Sequence, residues 1–216
     1  MSENPDAVGF VLAGGRSSRM GSEKALIQLA GEPLVVHAMR ILRSAGLAVR
    51  IAGARSPLDR YARVVPDAEP DRGPLGGICS ALAFTTAKRA IFLPVDMPLL
   101  PATLVSFLLE AAQAGDAVVT LPALDGFAQT FPVVFDRAVL PWLRAALEAG
   151  RGGCYQAFQS AAAGVGRTVK VVPVEQAVKD GTLPQIGALP VEDWFMNVNE
   201  PADLARAEAC LAGGCV

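Results

Sequence analysis

An α/β sandwich around a mainly parallel sheet is the fold class this sequence predicts, and three observations predict it. Short apolar runs alternate with amphipathic stretches along most of the chain, the βαβα order that builds a parallel sheet covered by helices. The run from Val8 to Leu12 is apolar apart from Gly9 and stops before Gly14-Gly15, as a strand buried on both faces does. Leu34, Val35, Ala38, Ile41, Leu42 and Ala45 then share one helical face, which Gly46 closes.

The remaining elements follow in order. Ala48–Ala52 reads as the second strand and Arg63–Val65 as a short third. Leu75–Ala87 has the small, apolar look of a packed helix, and Ala90–Val95 is the next strand. Pro101 fits the first position of a helix reaching Ala114, because a proline there forfeits no helical hydrogen bond. Asp116–Leu121 and Pro132–Phe135 are further strands, Arg137–Ala149 and Gly153–Ala163 helices, and Val169–Val174 a strand. Asn199-Glu-Pro-Ala-Asp opens a last helix, with Asn199 or Glu200 at the cap and Pro201 at the first position. Glu175–Asp193 follows no period and carries Gly181, Pro184, Gly187 and Pro190, so it reads as a flap or insertion. One domain over 1–216 is expected, with 175–193 as an excursion within it.

Composition narrows the function. At 52% hydrophobic and 19% charged residues, the chain is too apolar for disorder. Nineteen Lys and Arg against 21 Asp and Glu leave a formal charge of −2, which disfavours nucleic acid or an acidic membrane as partner. No apolar run approaches the ~18 residues of a membrane span. MSENPDAVGF carries acids where a secretory signal places cations, so a soluble cytoplasmic protein is expected. Cys79, Cys154, Cys210 and Cys215 form no C-x-x-C, and His37 is the one histidine, so a structural zinc site is unsupported. A Cys210–Cys215 disulfide is geometrically open, but a cytoplasmic pair is expected reduced. His37 reads as a surface or helix-packing residue on the polar side of its helix, and Trp142 and Trp194 as core or flap anchors.

Parallel sheets bind ligands beyond the carboxyl ends of their strands, which directs attention to four loops. Leu12-Ala13-Gly14-Gly15 is followed by Arg16, Arg19 and Lys24. Glycine amides that approach an anion closely, with three cations beside them, suit a polyphosphate, although a Gly-rich turn with solvated cations reads the same way. Neither G-K-[ST] nor G-x-G-x-x-G is present. Asp96, in Leu93-Pro-Val-Asp-Met-Pro98, stands just past a buried strand, where a carboxylate is costly unless paired or metal-bound. A carboxylate with phosphate oxygens and water is a natural shell for Mg2+; a turn or capping aspartate is the alternative. Asp67 precedes Gly73-Pro-Leu-Gly76-Gly77, where a base edge suits the carboxylate and a flat ring or ribose suits the bare backbone. Asn197 and Asn199 lie on one side of an extended segment and suit a metal or phosphate, or merely cap the last helix.

Taken together, LAGGRSSRMGSEK, GPLGG, PVDMPLLP and FMNVNEPADL, in this order and spacing, resemble the molybdenum cofactor guanylyltransferase family, from about Val8 to Leu211. The resemblance implies a Rossmann-like three-layer sandwich of the nucleotidyltransferase type. It implies transfer of GMP from Mg·GTP to molybdopterin, the molybdenum cofactor, with release of pyrophosphate. By residue, it implies nucleotide contacts at Leu12, Ala13, Gly14, Gly15, Lys24, Asp67, Gly76, Gly77 and Asp96. Arg19, Lys24 and Asp96 would be catalytic, Asp96 and Asn199 metal-binding, and Asn197, Asn199 and Arg151 acceptor-binding. Mg2+ is the implied cofactor, and the family admits other cofactor-biosynthesis proteins as partners.

Three features depart from the family pattern. Ala52 stands where members carry a strand-end asparagine, Phe131-Pro132 where many carry His-Pro, and Glu175–Asp193 is longer than usual. Cytidylyltransferases acting on the same pterin share the first motif, so CTP is the alternative nucleotide. Another phosphorylated acceptor is the alternative substrate, and an inactive nucleotide-binding regulator the alternative of a different class. Intact Lys24, Asp96 and Asn199 weigh against the regulator.

Overall fold

The structure, a computed structural model, describes residues 6–13, 23–53, 57–69, 72–150, 153–185 and 189–213. Strand β1 (Ala7–Leu12) is buried along its whole length. A small hairpin, β2 (Gln28–Leu29) and β3 (Glu32–Pro33), leads into α1 (Leu34–Ser44). The chain continues through β4 (Ala48–Ala52), β5 (Val64–Val65), α2 (Gly73–Phe84), β6 (Arg89–Pro94) and α3 (Ala102–Gln113). Next come β7 (Val119–Leu124), β8 (Phe127–Ala128), β9 (Val133–Asp136), α4 (Leu140–Ala149) and α5 (Cys154–Gly164). The last elements are β10 (Lys170–Pro173), α6 (Val174–Lys179), α7 (Val191–Trp194) and α8 (Pro201–Leu211).

The main sheet runs β10-β7-β9-β6-β1-β4-β5, with β8 paired to β7. Pairing is parallel between β1 and both β4 and β6, between β4 and β5, and between β7 and β10. β9 runs antiparallel to β6 and β7, so β6 and β7 keep the same direction across it. Period-2 alternation sorts β1 between two cores. Val8, Phe10 and Leu12 join Ile78 and Leu82 of α2, Leu143 of α4 and Phe158 of α5. Ala7 and Val11 join Leu42 of α1 and Leu108 of α3 on the other face. A three-layer α/β sandwich results, as the alternating pattern predicts.

Gly9 sits where α1 comes closest to this central strand: a Cβ there would lie 3.1 Å from Leu42 Cδ1. Phe10, Phe92, Phe135 and Phe158 form a continuous aromatic stack through the other face, with centroids 4.9–5.8 Å apart.

Several expectations shift. β7 begins at Val119 and runs to Leu124, three residues beyond the expected bounds. It passes through Pro122, whose carbonyl still accepts from Gln129 N at 2.8 Å; a proline that needs no donor is tolerated there. Pro101 is the extended N-cap of α3 rather than its first residue. His37 is buried, not on a polar face, and its Nε2 lies 2.9 Å from the Leu29 carbonyl. A carbonyl only accepts, so this nitrogen carries the proton and ties α1 to the β2 hairpin.

The stretch 175–193 is a packed element over much of its length. It contains most of α6 and of α7, and it buries Ala177, Leu183 and Val191 beside Val174 and Trp194 in the main core. Trp194 Nε1 donates to the Leu189 carbonyl at 3.3 Å. Helices of six and four residues are too short to display a period, which is why the sequence reads as a flap; residues 186–188 lie outside the described residues. Cys210 is disulfide-bonded, where a reduced tail pair was expected; Cys215 lies outside the described residues. No helix among the described residues is long and apolar enough to cross a membrane.

Candidate functional site

The register of the sheet gathers the candidate residues. Leu12 is level with Ala52 on β4 and with Pro94 on β6, so the segments after these strands leave the sheet side by side. The ladder continues past their ends: Ala13 N donates to the Ala52 carbonyl at 3.1 Å, Val95 N to the Leu12 carbonyl at 3.1 Å, and Gly53 N to the Val65 carbonyl at 3.2 Å. Leu12 and Ala13 are therefore held as strand backbone up to the start of the Gly-rich loop.

Asp96 lies two residues past the end of β6. Lys24 opens a single 3-10 turn, Lys24–Leu26, anchored by the buried Ala25. Lys24 Nζ donates to Asp96 Oδ2 at 2.7 Å and to Asn199 Oδ1 at 2.6 Å. The Lys24 and Asp96 side chains are about one-fifth exposed, so one edge of the cluster meets solvent. Asp96 Oδ1 is buried and has no hydrogen-bond partner among the described residues.

Asn199 is placed by two devices. Val198 N donates to the Asp96 main-chain carbonyl at 2.8 Å, which fastens the segment before α8 onto the end of β6. Asp203 Oδ2 accepts from Asn199 N at 2.8 Å and from Glu200 N at 3.0 Å, forming the capping box of α8 with Pro201 in the first turn. Asp203 escaped the sequence reading. Its signal was present, an acid three residues past a cap position in N-E-P-A-D. Asn199 is thus both cap-adjacent backbone and site side chain.

A second cluster adjoins the first across Leu12. A Cβ on Gly77 would lie 3.3 Å from Asp67 Oδ1, 3.7 Å from Leu12 Cδ2 and 3.8 Å from Gly53 Cα. The lack of a side chain at Gly77 is what lets α2 approach the ends of β1, β4 and β5 this closely. Beside it, a cavity of about 660 Å³ is bordered by Asp67, Gly76, Cys79, Phe84 and Leu147. Arg72, the N-cap of α2, donates to the Leu147 carbonyl at 2.7 Å and so links the two helices around that cavity. Burial pushes the Cys79 thiol up to about 11, with Glu69 adding to the rise and Arg144 opposing it.

The structure thus unites Lys24, Asp96 and Asn199, and separately Leu12, Asp67 and Gly77. Asn197 is exposed, and its Nδ2 donates to the Phe195 carbonyl at 3.3 Å rather than to the cluster. Ala52 is fully buried and offers only its backbone. Phe131 packs edge-on against Phe158 at 6.3 Å. Gly14, Gly15, Arg16, Arg19 and Arg151 lie outside the described residues.

The donor set fits a hard dication. A carboxylate and an amide oxygen converge on one cation, and the other oxygen of that carboxylate is buried without a hydrogen-bond partner among the described residues. Among the described residues no group of three or more His, Cys, Asp or Glu could hold a metal by itself. Mg2+ suits such a site, since it keeps several waters and takes one or two carboxylates together with substrate phosphates.

Comparison with known proteins identifies relatives of this chain. The MobA-like NTP transferase domain family matches residues 9–165. A molybdenum cofactor guanylyltransferase of Rhizobium rhizogenes is 34% identical over 214 residues, covering 94% of this chain and 91% of that protein. A molybdenum cofactor guanylyltransferase of Xanthomonas euvesicatoria is 45% identical over 106 residues, 49% of this chain and 54% of its own length, so that match spans about half of each protein. The crystal structure of molybdopterin-guanine dinucleotide biosynthesis protein A from Archaeoglobus fulgidus superposes with a TM-score of 0.75 at 21% identity, covering 94% of this chain and 98% of that one.

Proposed function

Because the chain belongs to the MobA-like NTP transferase family and is a nucleotidyltransferase of the molybdenum cofactor guanylyltransferase kind, we propose that it transfers GMP from Mg·GTP to molybdopterin and releases pyrophosphate. The observation that carries this reading is the convergence of Lys24 with Asp96 and Asn199 at the strand ends. That arrangement supplies one mobile cation for phosphates and two oxygen ligands for a dication, which is what nucleotidyl transfer needs.

In this reading the backbone of Leu12 and Ala13, continuing into Gly14 and Gly15, lines the nucleotide, and Lys24 and Arg19 hold its phosphates. Asp67 accepts from the guanine edge, with Gly76 and Gly77 leaving room for the ring and ribose. Asp96 and Asn199 would hold Mg2+, which when bound neutralises charge on the departing pyrophosphate. Asn197, Asn199 and Arg151 would bind the acceptor. The acceptor's phosphate oxygen forms the new bond to the α-phosphorus as the bond to the pyrophosphate oxygen breaks. An ionised phosphate has no proton to lose, so no general base is required. Rate enhancement then comes from alignment and charge neutralisation. Cytoplasmic action, where nucleoside triphosphate is available, and contacts with other cofactor-biosynthesis proteins complete the proposal.

CTP is the second reading, favoured by the fully buried Ala52 at the end of β4, which has no side-chain amide for a guanine nucleotide. Pyrophosphate release measured with each nucleoside triphosphate, with and without molybdopterin, tests both. The expected result is release with GTP that depends on molybdopterin. Release with CTP instead moves the assignment to cytidylyl transfer, and dependence on a different phosphorylated acceptor overturns molybdopterin as substrate.

A further inference from the structure

We infer that Lys24 is a resident counter-ion of the metal site, occupying the oxygens of Asp96 and Asn199 until nucleotide phosphates draw it away, so that dication and nucleotide bind as one coupled event. The inference rests on the reading of Asp96 and Asn199 as metal ligands and adds an order of events to it.

The geometry sets up an exchange between two cations. The Lys24 ammonium already takes Asp96 Oδ2 at 2.7 Å and Asn199 Oδ1 at 2.6 Å. A dication bound to the same oxygens would face a positive charge at contact distance, which opposes its entry. The three partners differ in freedom. Asp96 is held at the end of a central strand, with its carbonyl fastened by Val198 N. Asn199 is held through Asp203 at the cap of α8. Lys24 alone stands on a single 3-10 turn, at the end of a flexible four-carbon stem. Lys24 is therefore the member that moves.

A triphosphate offers that ammonium a stronger anionic partner. Once it turns to the phosphates, both oxygens are released, together with the buried Asp96 Oδ1 that has no other partner among the described residues. Linkage makes the effect reciprocal: if nucleotide strengthens metal binding, metal strengthens nucleotide binding by the same factor. The free enzyme then holds neither a stray dication nor bare nucleotide well, and the metal–nucleotide complex is the species it captures.

Mn2+ binding to the nucleotide-free protein, followed by electron paramagnetic resonance, tests this without turnover. Lys24→Met keeps most of the length of the unbranched side chain and removes the charge; Lys24→Gln is a second variant, and circular dichroism melts establish that each is folded. The wild type is expected to bind Mn2+ weakly and both variants at least tenfold more tightly. Adding Asp96→Asn to Lys24→Met should abolish the gain. Equal Mn2+ affinity in the wild type and both folded variants overturns the counter-ion role while leaving the metal ligands standing. A gain that survives Asp96→Asn places the ion elsewhere and overturns the metal reading itself.

Discussion

Lys24 Nζ and Asn199 Oδ1 lie 2.6 Å apart although 175 positions separate them in the chain. The bond joins the turn after the first strand to the residue before the cap of the last helix, and Asp96, from the middle of the chain, completes the triangle. Each corner is set by a different part of the fold, so the cluster reports on assembly of the whole sandwich.

Asp96→Asn should therefore lower both turnover and metal-free stability. Asn keeps one acceptor oxygen but loses the charge a hard dication requires. Loss of several kcal/mol at the transition state predicts a drop of at least ~100-fold. An unpaired acid at this strand end would leave stability without metal unchanged or raised on substitution. The ion pair with Lys24 reverses that sign. Because the pair is partly solvated, its loss should cost up to about 1 kcal/mol, or a fall of about 2–4 °C in Tm. Pyrophosphate release over a Mg2+ titration and thermal melts in chelator read the two effects; near-normal turnover would remove Asp96 from the metal site.

Asp67→Ala should reduce discrimination between GTP and CTP. A carboxylate accepts from guanine N1–H and the exocyclic amine together, whereas cytosine presents only an amine donor. Charge-assisted hydrogen bonds of this type are worth ~1.5–3 kcal/mol each, so the GTP preference should fall by tenfold or more in competition titrations. An unchanged preference would place the base elsewhere. Gly77→Ala gives a second check, since its methyl would stand 3.3 Å from Asp67 Oδ1; it should weaken nucleotide binding and also lower stability, because α2 must move back from the strand ends.

Gly9→Ala should destabilise the fold without touching the site. The new methyl meets Leu42 at 3.1 Å, in a core where Leu42 is fully buried and has nowhere to retreat. Overpacking of this kind costs about 1–3 kcal/mol. Urea unfolding should show a lower midpoint with an unchanged slope, and nucleotide affinity should be retained by the folded fraction.

Cys79 should remain a thiol across the physiological range. Burial raises its pKa from 9.0 to about 11. The unfolded thiol ionises first as pH rises, so the native state binds the extra proton between these two values. Stability from this group is fully present below pH 9 and declines as pH climbs towards 11. Cys79→Ala should flatten that part of the stability curve, and alkylation of native Cys79 at pH 8 should be slow compared with the denatured chain. Rapid labelling of the native protein would contradict its burial.

Hydrogen exchange should find the amides of α6 and α7 protected. Val174, Ala177, Leu183, Val191 and Trp194 are all buried in the main core. Exchange at the unfolded-chain rate throughout 174–194 would restore the flap reading.

The sequence by itself determined the layers of this protein and singled out the residues of its candidate site. Buried parallel strands leave unbroken apolar runs, as at Val8–Leu12, and covering helices leave a 3.6-residue stripe, as at Leu34–Ala45, so both are visible in one dimension. The motif residues Lys24, Asp67, Asp96 and Asn199 were equally legible, since Gly-rich turns and strand-end acids have chemistry that spacing alone suggests. Tertiary structure decided what these residues do to one another. No pattern in the chain pairs Lys24 with Asp96 and Asn199; strand register and the α8 cap do. Nor could periodicity detect α6 and α7, which are one to two turns long and owe their order to long-range burial of Leu183 and Trp194. His37 likewise reads from its own helix as either a surface or a helix-packing residue, and the β2 hairpin folding over it decides for packing. Local pattern records which surface a segment must hide, while the partner that hides it, and the charge that meets each charge, exist only once distant segments are brought into contact.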